Sequence, residues 1–543
     1  MTNRWRSLLV SSVCVGMVAL GSFVPGHVAV EAQGGLVPAP ARRPGEGVGP
    51  FNRMVIRNVM VIDGTGGPPF GPMNVIVSGN RIQGLQGAGT PGLRPTPAPA
   101  GRAGGGGGRQ GGVAQTTDHE IDGTGMYLMP GFVDLHVHAG GPPKNAEAEY
   151  AYKLWLAHGV TTVRGVALGS NQFSVSERAR SEKNEIAAPR IFNCQRPGGG
   201  DSPEAVRDWV RQNANTLDCL KLGAMEPDVM EAVIDEAHKH GLGTTAHLQQ
   251  GGVAQMNAID AARVGLDTVT HFYGHFESLL KDTVVQDWPI DMNANDEQHR
   301  FGQVARMWNK IHEPGSPEWK AYLAEHLKLG TTFDPTMTIY SAGRDVMRMR
   351  QADYHDKYTL PSLMDFYTPS RRNHGAYWFD WTTHDEIAWK NFYQVWFRLV
   401  NDYKKMGGRV GTGSDSGFIY QTYGFGYVLE LEMLQEAGFH PLEVFQAATM
   451  NGAATLSEWR KQPVEFGVVK AGKLADMVLV DQNPLQNLKV LYGNGAVKLN
   501  DATEQVERVG GVRWTIKDGI VYDAKKLMAD VAAMVDKQKA SRK

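Results

Sequence analysis

The apolar positions along this chain fall into distinct textures. Between Met54 and Leu85 the runs MVIRNVMVID and MNVIVSGNRIQGL alternate β-branched with polar residues and break at glycine-rich turns, which predicts short antiparallel strands beginning near Phe51. From about Tyr127 the apolar runs shorten and are separated by stretches of helical periodicity. The strand candidates are LMPGFVDLHVH, TTVRGVA, RIFNCQ, CLKLG, GTTAHLQ, TVTHFYG, TTFDPTM and RVGTGSD. Alternating β and α patterns predict parallel βα units. Eight such strands over roughly 325 residues predict a closed (β/α)8 barrel. Beyond Ala447 the strand-and-turn texture returns in FGVVKAGKLADMVLVDQNPL and VRWTIKDGIVYD, so the two chain ends are expected to join in a small β-sandwich.

The expected organisation is therefore an α/β protein, a TIM barrel with a small β-sandwich domain formed from both chain ends. Its segments are a signal peptide over 1–32, sandwich strands over 51–126, the barrel over 127–455, returning sandwich strands over 456–523 and a C-terminal helix over 524–543. One intervening helix is well marked: PDVMEAVIDEAHKHG ends at Gly241, with His238, Lys239 and His240 in the last turn, where cations suit the helix dipole. Two stretches, about 277–325 and 340–405, exceed what a minimal barrel needs and are expected to lie as loops or lids above the strand ends. In the second, Tyr367, Tyr377, Trp378, Phe379 and Trp381 read either as an apolar pocket wall or as packing inside a helical insert.

Composition sharpens this picture at three points. A length of 543 residues exceeds one compact domain. A net charge of −2 gives no electrostatic case for a nucleic acid or an anionic membrane as partner. Glycine, at 64 residues, is well above the usual ~7%. Part of that surplus sits in an insert over 87–112, GAGTPGLRPTPAPAGRAGGGGGRQGG, which lacks apolar periodicity and is expected to be a disordered surface loop. The remainder suits tight turns and loops that bring backbone close to a site.

At the start of the chain, Arg4 and Arg6 precede an apolar run from Leu8 to Val24, followed by Pro25 and small residues with Ala32 before a plausible cut. This reads as a secretory signal peptide, the alternative being a retained anchor, and places the mature protein outside the cytoplasm, secreted or periplasmic. No membrane contact beyond that segment is expected. Removing Cys14 leaves Cys194 and Cys219, which can pair after export or serve as small buried residues. With no C-x-x-C, a cysteine-based zinc site is excluded.

The chemistry gathers at strand ends. In His136-Val137-His138 the two imidazoles, two residues apart on a strand, face one side while Val133, Leu135 and Val137 face the other. An isolated pair of this kind reads first as hydrogen-bonded histidines. This one closes a buried strand, where a parallel barrel carries its active site. Lys221, flanked by Leu220 and Leu222, points into the barrel if the leucines pack outward, the alternative being a lysine that reaches solvent. An ammonium so placed is driven toward the neutral amine, which can take up carbon dioxide as a carbamate. His247 and His271 close successive β-rich runs, and Asp415 closes GTGSD, either as a turn former or as a carboxylate ligand and base.

MPGFVDLHVH, DCLKL, TTAHLQ, TVTHF, GTGSD, AATMNGAATL and GVVKAGKLADMVLVDQNPL together resemble the amidohydrolase superfamily, nearest its prolidase-like and imidazolonepropionase-related members. The resemblance runs from about Met54 to Asp523 in the family's motif order. It implies a hydrolase with two divalent metal ions, His136, His138 and Asp415 holding one, His247 and His271 the other, and carboxylated Lys221 bridging them. Zinc is the expected metal, since several imidazoles with carboxylate oxygens suit it. Asp415 would be the general base.

The chain departs from the family in one respect: no histidine stands between Gly424 and Gly438, where members often carry one. Arg344, Arg371 and Arg372 are candidates for a substrate carboxylate, and His275 for another substrate contact. The expected activity is hydrolysis of an amide or peptide bond in a small molecule, a dipeptide or N-acyl amino acid. Hydrolysis of a cyclic amide or lactone on the same site is the alternative, and a non-catalytic binding barrel the reading from a different class. All six ligand positions are filled, which speaks against the last. A homo-oligomer is compatible with the sequence.

Overall fold

The computed structural model describes residues 35–89, 117–371, 374–376 and 378–542; the expected signal peptide, most of the glycine-rich insert, Arg372 and Tyr377 lie outside the described residues. Near the start come β1 (Met54–Val61), β2 (Phe70–Ser78), β3 (Arg81–Gly87), β4 (His119–Asp122) and β5 (Tyr127–Pro130). The barrel staves follow as β6 (Phe132–Val137), β7 (Val160–Val166), β8 (Arg190–Gln195), β9 (Cys219–Leu222), β10 (Gly243–Ala246), β11 (Thr268–Thr270) and β12 (Thr332–Asp334). After the barrel come β13 (Met477–Val480), β14 (Ala496–Asn500), β15 (Gln505–Val509), β16 (Val512–Lys517) and β17 (Ile520–Asp523).

The β domain expected from both chain ends is an eight-stranded sheet in the order β17-β16-β13-β5-β1-β2-β3, with β4 beside β1. Alternate residues Met54, Ile56, Val75, Val77, Met477 and Leu479 supply a core of its own. β5 joins the two ends, parallel to β1 and antiparallel to β13. The run LMPGFVDLHVH is thus divided, its first part lying in this sheet and only Phe132–Val137 forming a barrel stave. The break falls at Gly131, where a Cβ would stand 2.1 Å from Thr161 Oγ1. β14 and β15 form a separate hairpin.

β6 to β12 pair in chain order, all parallel. Residues 409–415 supply the eighth stave without a regular ladder. Phe333 N donates to Arg409 O at 3.0 Å and Gly411 N to Phe333 O at 2.9 Å. On the other side Leu135 N donates to Thr412 O and Asp415 N to His136 O, both at 2.8 Å. The stave closes the barrel between β12 and β6. It is irregular because its glycines are spatially required: a Cβ on Gly413 would lie 2.5 Å from Asp334 Oδ1 and 2.8 Å from the His136 Cβ.

Around the barrel run α1 (Ala148–Ala157), α2 (Asn171–Glu182), α3 (Pro203–Asn213), α4 (Pro227–Lys239) and α5 (Ala258–Arg263). α4 begins at a proline in its first turn and buries Val229, Met230, Val233, Ile234 and Ala237, an i, i+3, i+4 stripe. Gly241, just past its end, has φ +69°. Cys194 and Cys219, register partners on β8 and β9, are joined as a disulfide. The long inserts are helical, chiefly Glu297–Ala305, Pro317–Leu329 and Thr383–Lys405. The last carries a Thr382–Asp385 capping box and buries Trp389, Phe392, Tyr393 and Trp396. The terminal helix Ala524–Ala540 packs against α1. Among the described residues, no helix is long and apolar enough to cross a membrane.

Candidate metal centre

Strand parity places the first groups. Val133 and Leu135 pack outward with Phe192, Ala453 and Leu456, while His136 turns inward and is 1% exposed. On β9 Leu220 and Leu222 join the outer core, and Lys221 points in, its Nζ 2.8 Å from His136 Nε2. Asp415 arrives from the eighth stave, with Oδ1 3.4 Å from His138 Nε2 and Oδ2 3.7 Å from His271 Nε2. His247 stands beside His271, ring centroids 4.6 Å apart. All six residues expected from the sequence therefore meet at the C-terminal end of the barrel, and ligand atoms of His136, His271 and Asp415 lie within 4.8 Å of one another.

The hydrogen bonds fix which ring nitrogens are free. Thr336 Oγ1 donates to Pro335 O at 2.7 Å, so it can only accept from His271 Nδ1, its close neighbour. That leaves His271 Nε2 as a bare lone pair, buried and without a hydrogen-bond partner. His138 Nδ1 faces Ala167 O at 3.4 Å, and a carbonyl only accepts, so His138 Nε2 also offers a lone pair toward Asp415. Two imidazole lone pairs aimed at one carboxylate fit a divalent cation.

Protonation agrees with ligation. Burial, reinforced by neighbouring positive charge, holds His136 and His247 well below the ordinary imidazole range, and burial takes His271 down to about 3. Burial also lowers His138, against an opposing pull from Asp415. Lys221 is held well below the usual lysine range by burial, then by Arg196 and Arg164. Burial alone would raise Asp415, but His138, His271 and Lys221 outweigh it and keep the carboxylate ionised. The centre thus presents neutral imidazoles at neutral pH, an ionised Asp415 carboxylate and a lysine that burial drives toward the neutral amine.

Several residues here were not singled out in the sequence. Asp334, at the end of β12, has Oδ2 3.9 Å from His136 Nδ1 and 3.0 Å from Arg164 Nη2. Burial pushes its carboxyl up to about 6, against Arg164. Asp134 ties the eighth stave to β6, accepting from Ser414 N at 2.9 Å and Ser414 Oγ at 2.6 Å. Tyr273 borders His247, centroids 4.8 Å apart. Lys144, in the loop after β6, lies over the Phe418 ring at 3.1 Å, and Phe418 meets His138 edge-on.

Of the expected substrate contacts, Arg344, Arg371 and His275 are engaged with other partners. Arg344 makes a two-pronged pair with Glu436, at 2.6 and 3.1 Å. Arg371 pairs with Asp296 and lies over the Phe379 ring. His275 donates or accepts with Tyr322 OH at 2.6 Å and packs on Phe333. In the aromatic insert, Tyr367 and Trp378 are buried against Tyr420. A separate groove lined by Val37, Lys153, Asp530 and Met534 shares no residue with the centre.

The fold is that of known hydrolases. A Xaa-Pro dipeptidase with bound methionine aligns over 87% of this chain and 100% of its own at 18% identity, TM-score 0.55. A putative prolidase from Bifidobacterium longum aligns over 90% and 99% at 20% identity, TM-score 0.55. A bottromycin amidohydrolase aligns over 91% of each chain at 17% identity, TM-score 0.57. No curated protein matches the chain. Residues 397–521, from the helix Thr383–Lys405 through the eighth stave to β17, match a model of the amidohydrolase family. That match spans less than a quarter of the chain, and the likeness to the solved structures is one of fold.

Proposed function

We propose that the protein is an exported, metal-dependent hydrolase cutting an amide or peptide bond in a small molecule, a dipeptide or N-acyl amino acid. The observation that carries this reading is the convergence of His138 Nε2 and His271 Nε2 on Asp415 beside the buried Lys221. His136, His138 and Asp415 would hold one divalent ion and His247 and His271 a second, with Lys221, as a carbamate formed from the amine and carbon dioxide with loss of a proton, between them. Zinc suits this donor set. Such ions supply Lewis-acid polarisation of a carbonyl and a more acidic water.

The chain's own residues do the remaining work. Asp415, ionised and within reach of His138 and His271, accepts the proton of the attacking water and returns it to the departing amine. Thr336 and Ala167 hold the rings of His271 and His138 in the tautomer that leaves Nε2 free. Phe418 stands edge-on to the His138 ring at the centre. Export rests on the N-terminal pattern of Arg4, Arg6 and the run Leu8–Val24.

Metal analysis of the purified protein, with turnover measured on dipeptides, N-acyl amino acids, cyclic amides and lactones, tests the reading. Lys221→Ala is expected to lose a metal equivalent and nearly all turnover; full metal and full rate in that variant reject the carbamate. Asp415→Asn should keep much of the metal and lose most of kcat. An unchanged rate removes Asp415 as base.

A further inference from the structure

Among the described residues four lysines are buried: Lys144, Lys153, Lys221 and Lys517. Lys153 is surrounded by Glu46, Glu149 and Asp530, at 2.7, 3.0 and 2.6 Å. Lys517 meets Asp518 at 3.0 Å and donates to Asn184 Oδ1 and Ser181 O. Lys221 belongs to the metal centre. Lys144 differs from all of these, being 8% exposed with its Nζ in no hydrogen bond or ion pair among the described residues. Its neighbours are ring faces, Phe418 at 3.1 Å and Phe366 at 4.9 Å.

A ring quadrupole attracts an ammonium but does not replace the hydrogen bonds that water gave it. Burial pulls the Lys144 ammonium down to about 7, against Asp415, so an anion beside it is what would hold its charge. A fold keeps a buried amine without an anion where something else gains from it. The position indicates what gains. Lys144 stands in the loop following His138, at the mouth of the barrel, and Phe418 beneath it touches the His138 ring, centroids 5.8 Å apart. Its charge acts on Asp415 and on His138. Of the guanidiniums that the sequence offers for a carboxylate, Arg344 and Arg371 already hold Glu436 and Asp296, and Arg372 lies outside the described residues.

We propose that Lys144 is the specificity-determining residue of this cleft, binding a free carboxylate of the substrate over the aromatic floor of Phe366 and Phe418. This rests on the amide-hydrolase reading for the identity of the substrate, and it narrows that substrate to N-acyl amino acids and short peptides whose carboxylate lies close to the bond cut. Backbone anchors keep the loop in place, since Lys144 N donates to Gly141 O at 2.9 Å and Lys144 O accepts from Ser362 Oγ.

The test uses ligands with no bond the enzyme can break, so that it stands apart from catalysis. The metal-loaded wild-type protein is titrated calorimetrically with 3-phenylpropanoate and with neutral 3-phenylpropan-1-ol, and Lys144→Met and Lys144→Arg are titrated alongside. The wild type is expected to prefer the carboxylate by at least about tenfold, Lys144→Met to bring the two within about twofold, and Lys144→Arg to keep the preference. Metal content should be equal in all three, and the melting temperature of ligand-free Lys144→Met no lower than that of wild type. Equal binding by the wild type, no binding of the carboxylate, or a preference that survives in Lys144→Met overturns the proposal, the last assigning the preference to the metals or to Arg196. Failure of the amide-hydrolase reading shows separately, as absent turnover on N-acyl amino acids with the carboxylate preference intact.

Discussion

Thr336 decides which nitrogen of His271 is free. Its hydroxyl is committed to Pro335 O, so it holds Nδ1–H and directs the Nε2 lone pair at Asp415. Thr336, His271 and Asp415 all have positive φ, +47°, +67° and +47°. Such backbone is costly for residues with a Cβ and persists where surrounding contacts over-determine it. Thr336→Val is expected to weaken metal binding by about 10–100-fold, with the fold intact, as measured by competition against a chelator. The six ligand candidates were legible in the sequence because strand parity and strand ends announce them. Asp334 and Arg164 were not, since nothing local marks a carboxylate whose partners come from β6 and β7. Lys144 reads as an ordinary loop lysine until Phe366 and Phe418 close over it.

At the scale of elements, the barrel was legible because each stave is a short apolar run set off by helical periodicity. Two features were not. The division of LMPGFVDLHVH at Gly131 follows from Thr161 crowding that glycine from the neighbouring stave β7, a tertiary fact. The eighth stave reads as a strand, yet its backbone bends to bring Asp415 onto His136 O, and Gly413 is the residue that permits it. Gly413→Ala would press a methyl group against Asp334 and His136. It is expected to cost about 1–3 kcal/mol by denaturant titration and to lower metal content, whereas alanine at Gly84, with nothing within 4 Å and no positive φ, should leave the metal content unchanged.

The whole molecule carries histidines that the fold keeps neutral. Burial holds His158 down to about 4 and His275 to about 3, both away from the metal centre. His158 Nδ1 bonds Leu154 O at 2.7 Å, and its ring packs against Phe425. In the unfolded chain these rings protonate near the ordinary value of ~6.5, so the unfolded state takes up the proton first. Their contribution is complete above ~6.5 and declines as pH falls toward their folded values, by about 1.4 kcal/mol per pH unit for each ring. The melting temperature is therefore expected to drop between pH 6.5 and 4, and His158→Gln should flatten part of that drop.

β5 carries a consequence in time. It lies between β1, made early, and β13, made near the end of synthesis. While the chain grows, β5 can pair on one side only, and its other edge stays open until Met477–Val480 emerges. A strand edge left open invites pairing with another chain. A protein ending before Met477 is expected to keep all eight staves and still sediment as aggregate, its fate set by the strand that arrives last.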